Sequence, residues 1–246
     1  MVSQEAYDES LRFSFIVSAE IKTFNKLAMK RFITSLFLTF NLIILFAQTT
    51  SENTLKFLGH PIDGNKSQME AHLKKRGFSY DNYSDCFKGK FNGKRVEICI
   101  STNNNKVDRV YVLFPTTSES EIRYEYNKLI YQFNRNNKYI YFDDNEMIPE
   151  KENIDYEMSI NNKRYESLYY LKPQIDTLAF IDEFITKYTE KEREQFTEED
   201  VFQYAYNKII DLLTGCVWFT IHQIEGKYSI GLYYDNLNNR PNGEDL

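Results

Sequence analysis

The chain is poor in the residues that build tight loops and reactive centres. Its 246 residues hold nine glycines, five prolines, three cysteines, three histidines and one tryptophan. So few glycines leave little material for a phosphate-cradling loop, and no Gly-rich phosphate motif occurs. His60, His72 and His222 never fall at H-x-x-x-H or H-E-x-x-H spacing, so no helix-borne zinc site is expected. No G-x-S-x-G elbow is present, which removes the commonest local signature of a serine hydrolase. Acids outnumber bases 36 to 30. The only basic run, Lys74-Lys75-Arg76, sits where a helix C-terminus favours positive charge anyway. Nucleic acid, which needs clustered bases to displace counterions, is excluded as a partner. The longest apolar run, Phe32 to Phe46, spans 15 residues. A bilayer-crossing helix needs about 20.

That run is nevertheless the most informative stretch. Lys30 and Arg31 precede it, Thr34, Ser35, Thr39 and Asn41 interrupt it, and Ala47-Gln48 closes it before a polar segment. This is the pattern of a secretory signal peptide over residues 29–47, cleaved near Ala47. It predicts a periplasmic or secreted protein with no stable membrane span after cleavage. Residues 1–28 then read as an over-extended start or a disordered leader, with Met29 as the initiator. Four of the 36 acids and five of the 30 bases precede residue 48, leaving 32 acids against 25 bases. Nineteen Tyr and nineteen Phe indicate an ordered, strand-rich chain.

Periodicity divides the remainder into two units, 54–115 and 116–246. In the first, Leu58-Gly59-His60-Pro61-Ile62-Asp63-Gly64 is an extended opening that turns at Asp63-Gly64. Ser67 and Glu70 are spaced as a capping box for a short helix with Met69 and Leu73 inward and Gly77 as its stop. Strands follow over 87–91, 94–100 and 107–114, the first pair joined by Asn92-Gly93. In the second unit Ser118 and Glu121 open a helix whose stripe is Ile122, Tyr126, Leu129, Ile130 and Phe133. A strand is predicted over 138–142, then a hairpin of 156–160 with 163–171 around Asn161-Asn162. The two hairpins read alike, Asn161-Asn162-Lys163-Arg164 against Asn92-Gly93-Lys94-Arg95, which points to a duplication unless both merely share turn chemistry.

Residues 174–213 break the strand pattern as a two-helix insertion. Leu178, Ile181, Phe184, Ile185 and Tyr188 mark one helix, and Val201, Ala205, Ile209 and Leu212 the other, with a charged connector over 191–199. A last hairpin, 216–224 with 227–234, turns at Glu225-Gly226. The expected fold class is α+β: two helix-plus-antiparallel-meander units with the helical insertion in the second.

A two-residue loop at Asn92-Gly93 places Cys86 opposite Cys99 on the outer side of the first hairpin, at a Cα separation of about 4.5 Å. In an oxidising compartment these should form a disulfide, with Cys216 left free. The same register sets Lys88 opposite Glu97, a favourable pair, and Lys90 opposite Arg95, an unfavourable one.

The Leu58–Gly64 stretch, the Phe91-Asn92-Gly93-Lys94 hairpin and the ending Tyr233 to Leu246 together resemble a family of uncharacterised exported proteins of Bacteroidetes-type bacteria. The resemblance covers most of the chain after the signal segment. It implies export with Met29 as the start, and it transfers no catalytic residue. A looser likeness is to small exported helix-plus-meander modules, such as β-lactamase-inhibitor-like and outer-membrane assembly lipoproteins, and is fold analogy alone.

Asp143-Asp144-Asn145-Glu146 could hold calcium but fits a solvated turn better, and Asp235-Asn236-Leu237-Asn238-Asn239 lacks the third ligand and the Gly of a calcium loop. No metal or cofactor is therefore expected. In the last hairpin a two-residue loop puts Trp218 and His222 on the face of Tyr233, opposite the apolar face. Trp218 and Tyr233 could form a stacking platform or a floor under the inserted helices. The function these features favour is an exported, non-catalytic binding module for a protein or peptide of the cell envelope. The alternatives are a glycan-binding module using Trp218, Tyr233 and His222, and a secreted hydrolase whose site is assembled from distant segments.

Overall fold

A computed structural model describes residues 54–142 and 145–241. The predicted leader and signal segment, Asp143-Asp144 and the last five residues of the tail lie outside the described residues. The chain divides into two compact units. The described part of one is 54–173 with 213–241, and that of the other is 174–212.

The first unit is built on one eight-stranded antiparallel sheet. Its strands are β3 (Ser79–Asp81), β4 (Cys86–Phe91), β5 (Lys94–Asn103), β6 (Lys106–Leu113), β7 (Tyr139–Ile140), β8 (Glu166–Leu171), β9 (Gly215–Ile224) and β10 (Lys227–Asn236). A separate two-stranded ribbon, β1 (Lys56–Phe57) with β2 (His60–Pro61), precedes them. The sheet order is β3-β4-β5-β6-β10-β9-β8-β7. Segments 54–115 and 116–246 therefore contribute four strands each to a single sheet, joined where β6 pairs with β10. Both expected hairpin registers are present: Lys88 faces Glu97 and Lys90 faces Arg95, and Trp218 faces Tyr233 across the Glu225-Gly226 turn. Asn92 and Gly93 both take positive φ, 49° and 81°, as a two-residue primed turn requires.

Alternation gives the sheet one apolar face. Phe87, Ile98, Val112, Leu232 and Phe219 lie in one cross-strand row on it and are all buried. Helix α1 (Lys66–Lys75) contributes Met69 and Leu73 to this core, and α2 (Glu119–Asn134) contributes Ile122, Tyr126, Leu129 and Ile130. Phe219 is fully buried among the rings of Tyr126, Phe133 and Tyr169, and the Tyr126 hydroxyl shares a 2.8 Å hydrogen bond with Ser167.

Three local expectations give way. Helix α1 starts two residues earlier than an N-cap at Ser67 implies, because Asn65 is the N-cap and its N–H donates to Gln68 Oε1 at 3.3 Å. The box at Ser118 is half made: Ser118 Oγ accepts from the Glu121 N–H, while the Glu121 carboxylate accepts from Thr117 and Lys94. The predicted strand over 156–160 is instead helix α3 (Ile154–Ser159), so no hairpin turns at Asn161-Asn162. Asn153 caps it by accepting from the Tyr156 N–H at 2.8 Å, Asp155 and Glu157 favour its first turn, and buried Ile154 anchors it. Only one of its side chains is buried, so capping rather than strand alternation decides the local structure.

The unit of residues 174–212 holds three helices, α4 (Thr177–Lys187), α5 (Glu190–Gln195) and α6 (Glu198–Asp211), so the charged connector is itself one short helix. Asp176, Thr189 and Thr197 cap them. Phe180, Phe184, Val201 and Ala205 form this unit's own small core. Leu178 and Ile185, expected in the buried stripe, are exposed instead, because Phe180 and Phe184 take the inward positions. Among the described residues, no helix is long and apolar enough to cross a membrane.

Cys86 and Cys99 are joined in a disulfide with a Cα separation of 4.4 Å, and Cys216 is free and buried. The closed loop is short, so the bond should contribute about 3 kcal/mol through the unfolded chain. Urea denaturation of a Cys86→Ser, Cys99→Ser double variant is expected to show a loss of about that size. No loss would contradict a structural role for the bond.

Candidate functional site

The face of the sheet opposite the core carries the chemistry. Register places Cys86, Cys99, Tyr111, Tyr233, Trp218 and Leu168 in one cross-strand row there. Trp218 and Tyr233 stack at 3.9 Å with an interplanar angle of 10°, and Tyr111 stacks on Tyr233 from the other side at 5.9 Å. Tyr233 thus has both faces occupied, and the rings form a ladder rather than a flat platform. His222 Nε2 lies 3.1 Å from the Tyr233 hydroxyl. Both groups sit over Gly231, where an added Cβ would meet the hydroxyl at 2.6 Å and the imidazole at 2.8 Å. A Cβ at that position would force the Tyr233 and His222 side chains to shift. The three sequence-predicted binding residues are therefore neighbours.

Beside the ladder, charges gather around one buried carboxylate. Asp235 is fully buried and accepts from Arg109 Nε at 2.6 Å, Arg109 Nη2 at 2.9 Å, Trp218 Nε1 at 2.9 Å and Arg240. Burial pushes the carboxyl up, but the hydrogen bonds from Arg109, Trp218 and Arg240 outweigh it and hold Asp235 below the usual carboxylate range. The Arg109 guanidinium lies 5.5 Å from the Trp218 ring centre and 5.4 Å from that of Tyr233. Cys216 faces Asp235 on β9, and burial followed by the Asp235 charge pushes its thiol up to about 12. A thiol in that state is inert as a nucleophile at neutral pH.

Asp235 to Asn239 is a clasp rather than an ion loop. Asn236 donates to the Ile62 carbonyl and accepts from the Asn238 N–H, and Asn239 donates to the Val107 carbonyl at 2.8 Å. The clasp thereby ties β10 to the Leu58–Gly64 opening and to the β5–β6 hairpin. In the other acidic cluster, Asn145 pairs with both backbone groups of Leu168 at 3.3 Å, so its side chain serves the edge of β8. Among the described residues, no group of three or more His, Cys, Asp or Glu could hold a metal ion.

Two histidines lie elsewhere. His60 and His72 stack at 4.8 Å beside the Leu58 carbonyl, which accepts from Arg76 Nη2 at 2.6 Å. Burial, followed by the neighbouring His72, lowers the pKa of His60.

A groove of about 910 Å³ lies on the outer face. Leu113, Pro115 and Ile224 supply apolar surface, and His222 links it to the ladder. Arg76, Lys90 and Arg95 stand around it. The sequence had marked two of these bases only as a badly matched cross-strand pair. Comparison of the chain with protein-family models, curated proteins and solved structures gives no match.

Replacing Asp235 with Ala leaves an indole N–H and two partly exposed arginines without their acceptor, and should cost about 1–3 kcal/mol. Because Trp218 is the single tryptophan, its emission should change in the same variant, and an unchanged spectrum and stability would refute the clasp. His60 gives a pH signature. With its folded pKa below 6.5, the unfolded chain binds the proton first as pH falls past that value, and stability declines. Denaturation across that range should show a shallower decline for His60→Gln than for the parent protein.

Proposed function

We propose that the chain is an exported, non-catalytic binding module that receives a protein or peptide segment of the cell envelope on the outer face of its sheet. The groove carries this reading. It combines apolar surface with polar groups from β4, β5, β9 and β10, the mixture with which a peptide backbone and its side chains are held. Export draws support from the apolar run before residue 48 and from the Cys86–Cys99 disulfide, a bond that persists in oxidising compartments. The resemblance to exported Bacteroidetes-type proteins points the same way.

The glycan alternative loses ground because Tyr233 is sandwiched between Tyr111 and Trp218 and has no free face for a sugar. The hydrolase alternative needs His222 or His60 beside a carboxylate or a nucleophile; the bonded neighbour of His222 is the Tyr233 hydroxyl, and His60 stacks on His72.

Immobilised protein exposed to envelope extract should capture a reproducible partner. Ile224→Asp, a substitution at a half-exposed groove residue that leaves the core intact, should lose it. No reproducible partner, or one held equally by the variant, would overturn the reading.

A further inference from the structure

We propose that the groove is selective for an acidic polypeptide segment, one in which carboxylates alternate with apolar side chains, and that Arg76, Lys90 and Arg95 recognise it. The inference rests on the binding-module reading and adds the chemical class of the ligand.

The β4–β5 register sets Lys90 directly opposite Arg95, and both side chains are exposed. Like charges in that position destabilise a hairpin. The other two lysines of this hairpin are supplied with acids: Lys88 meets Asp81 at 2.6 Å and Glu97 at 3.1 Å, and Lys94 meets Glu121 and Glu125 at 3.0 Å each. Among the described residues neither Lys90 nor Arg95 forms an ion pair. An unfavourable pair left uncompensated, in a chain where acids outnumber bases 36 to 30, is a site waiting for negative charge.

Arg76 extends the pattern. Its guanidinium is exposed and is anchored to the Leu58 carbonyl, which holds a cation at the groove rim. The lining holds four bases and one acid, Glu97, and that acid is already taken by Lys88. The net acidity of the whole chain opposes approach of a long polyanion such as nucleic acid. A short acidic segment inside the groove lies within the roughly 10 Å screening length of the local cations at 0.1 M salt. Leu113, Pro115 and Ile224 offer apolar surface for side chains between the carboxylates, which a free phosphate or a sulfated sugar would not use.

The test uses short fluorescein-labelled peptides in which Leu and Tyr alternate with Glu, with Gln or with Lys, read by anisotropy against the protein. The Glu peptide should bind about tenfold or more tightly than the Gln peptide, and weaken as salt rises. A Lys90→Glu, Arg95→Glu double variant should reverse the order in favour of the Lys peptide. Lys90→Glu alone places opposite charges across the hairpin and should raise Tm by about 1–3 °C, so its loss of Glu-peptide binding would not be unfolding. Equal binding of the Glu and Gln peptides, unaffected by the variants, would overturn the acidic selectivity and leave the peptide module standing. Binding of dextran sulfate with none of the peptides, or no binding of any probe, would overturn both.

Discussion

The pairing of β6 with β10 is the contact on which everything else depends. It joins residues as far apart as Arg109 and Asp235, 126 positions along the chain, and it alone converts two four-stranded halves into one sheet. Without it the core row from Phe87 to Phe219 would be cut in the middle, and the outer ladder would lose the contact between Tyr111 and Tyr233. The groove depends on it too, since its strand lining comes from β4, β5 and β6 on one side and β9 and β10 on the other. The Asp235 clasp reinforces the same seam, because Arg109 stands on β6 and Asp235 on β10.

How much of this could be read in advance follows from the range of each interaction. Asn92-Gly93 and Glu225-Gly226 set their registers locally, and from those registers the disulfide, the core face and the Trp218–Tyr233 contact follow without knowledge of the rest. Nothing local specifies which strand β6 will find, so the single sheet was not legible. The helix at Ile154–Ser159 is legible in principle, since Asn153 followed by Asp155 and Glu157 is a capping signal, but Asn161-Asn162 offers a competing turn signal. Of the site, Trp218, Tyr233 and His222 were found by alternation, whereas Arg76 entered it from another element and could not be placed.

The two most distinctive stretches of sequence, Leu58–Gly64 and the tail after Tyr233, turn out to hold one another. Asn236 bonds Ile62, and Asn239 reaches Asp63 and Val107. The contacts fasten the end of β10 to the opening of the fold and to the β5–β6 hairpin. The groove, by contrast, is made of ordinary residues whose only unusual property is that their charges do not balance.

The position of β10 at the centre of the sheet, yet after every other strand in the chain, has a kinetic consequence. The first half can assemble early, because β3 to β6 are joined by short turns. Its β6 edge then stays open, with unpaired backbone groups, until β10 has been made and has found it. A closure of such long range is slow, and the intermediate that precedes it is the species most exposed to pairing with another chain. Whatever handles the nascent protein must shield that one edge for that interval.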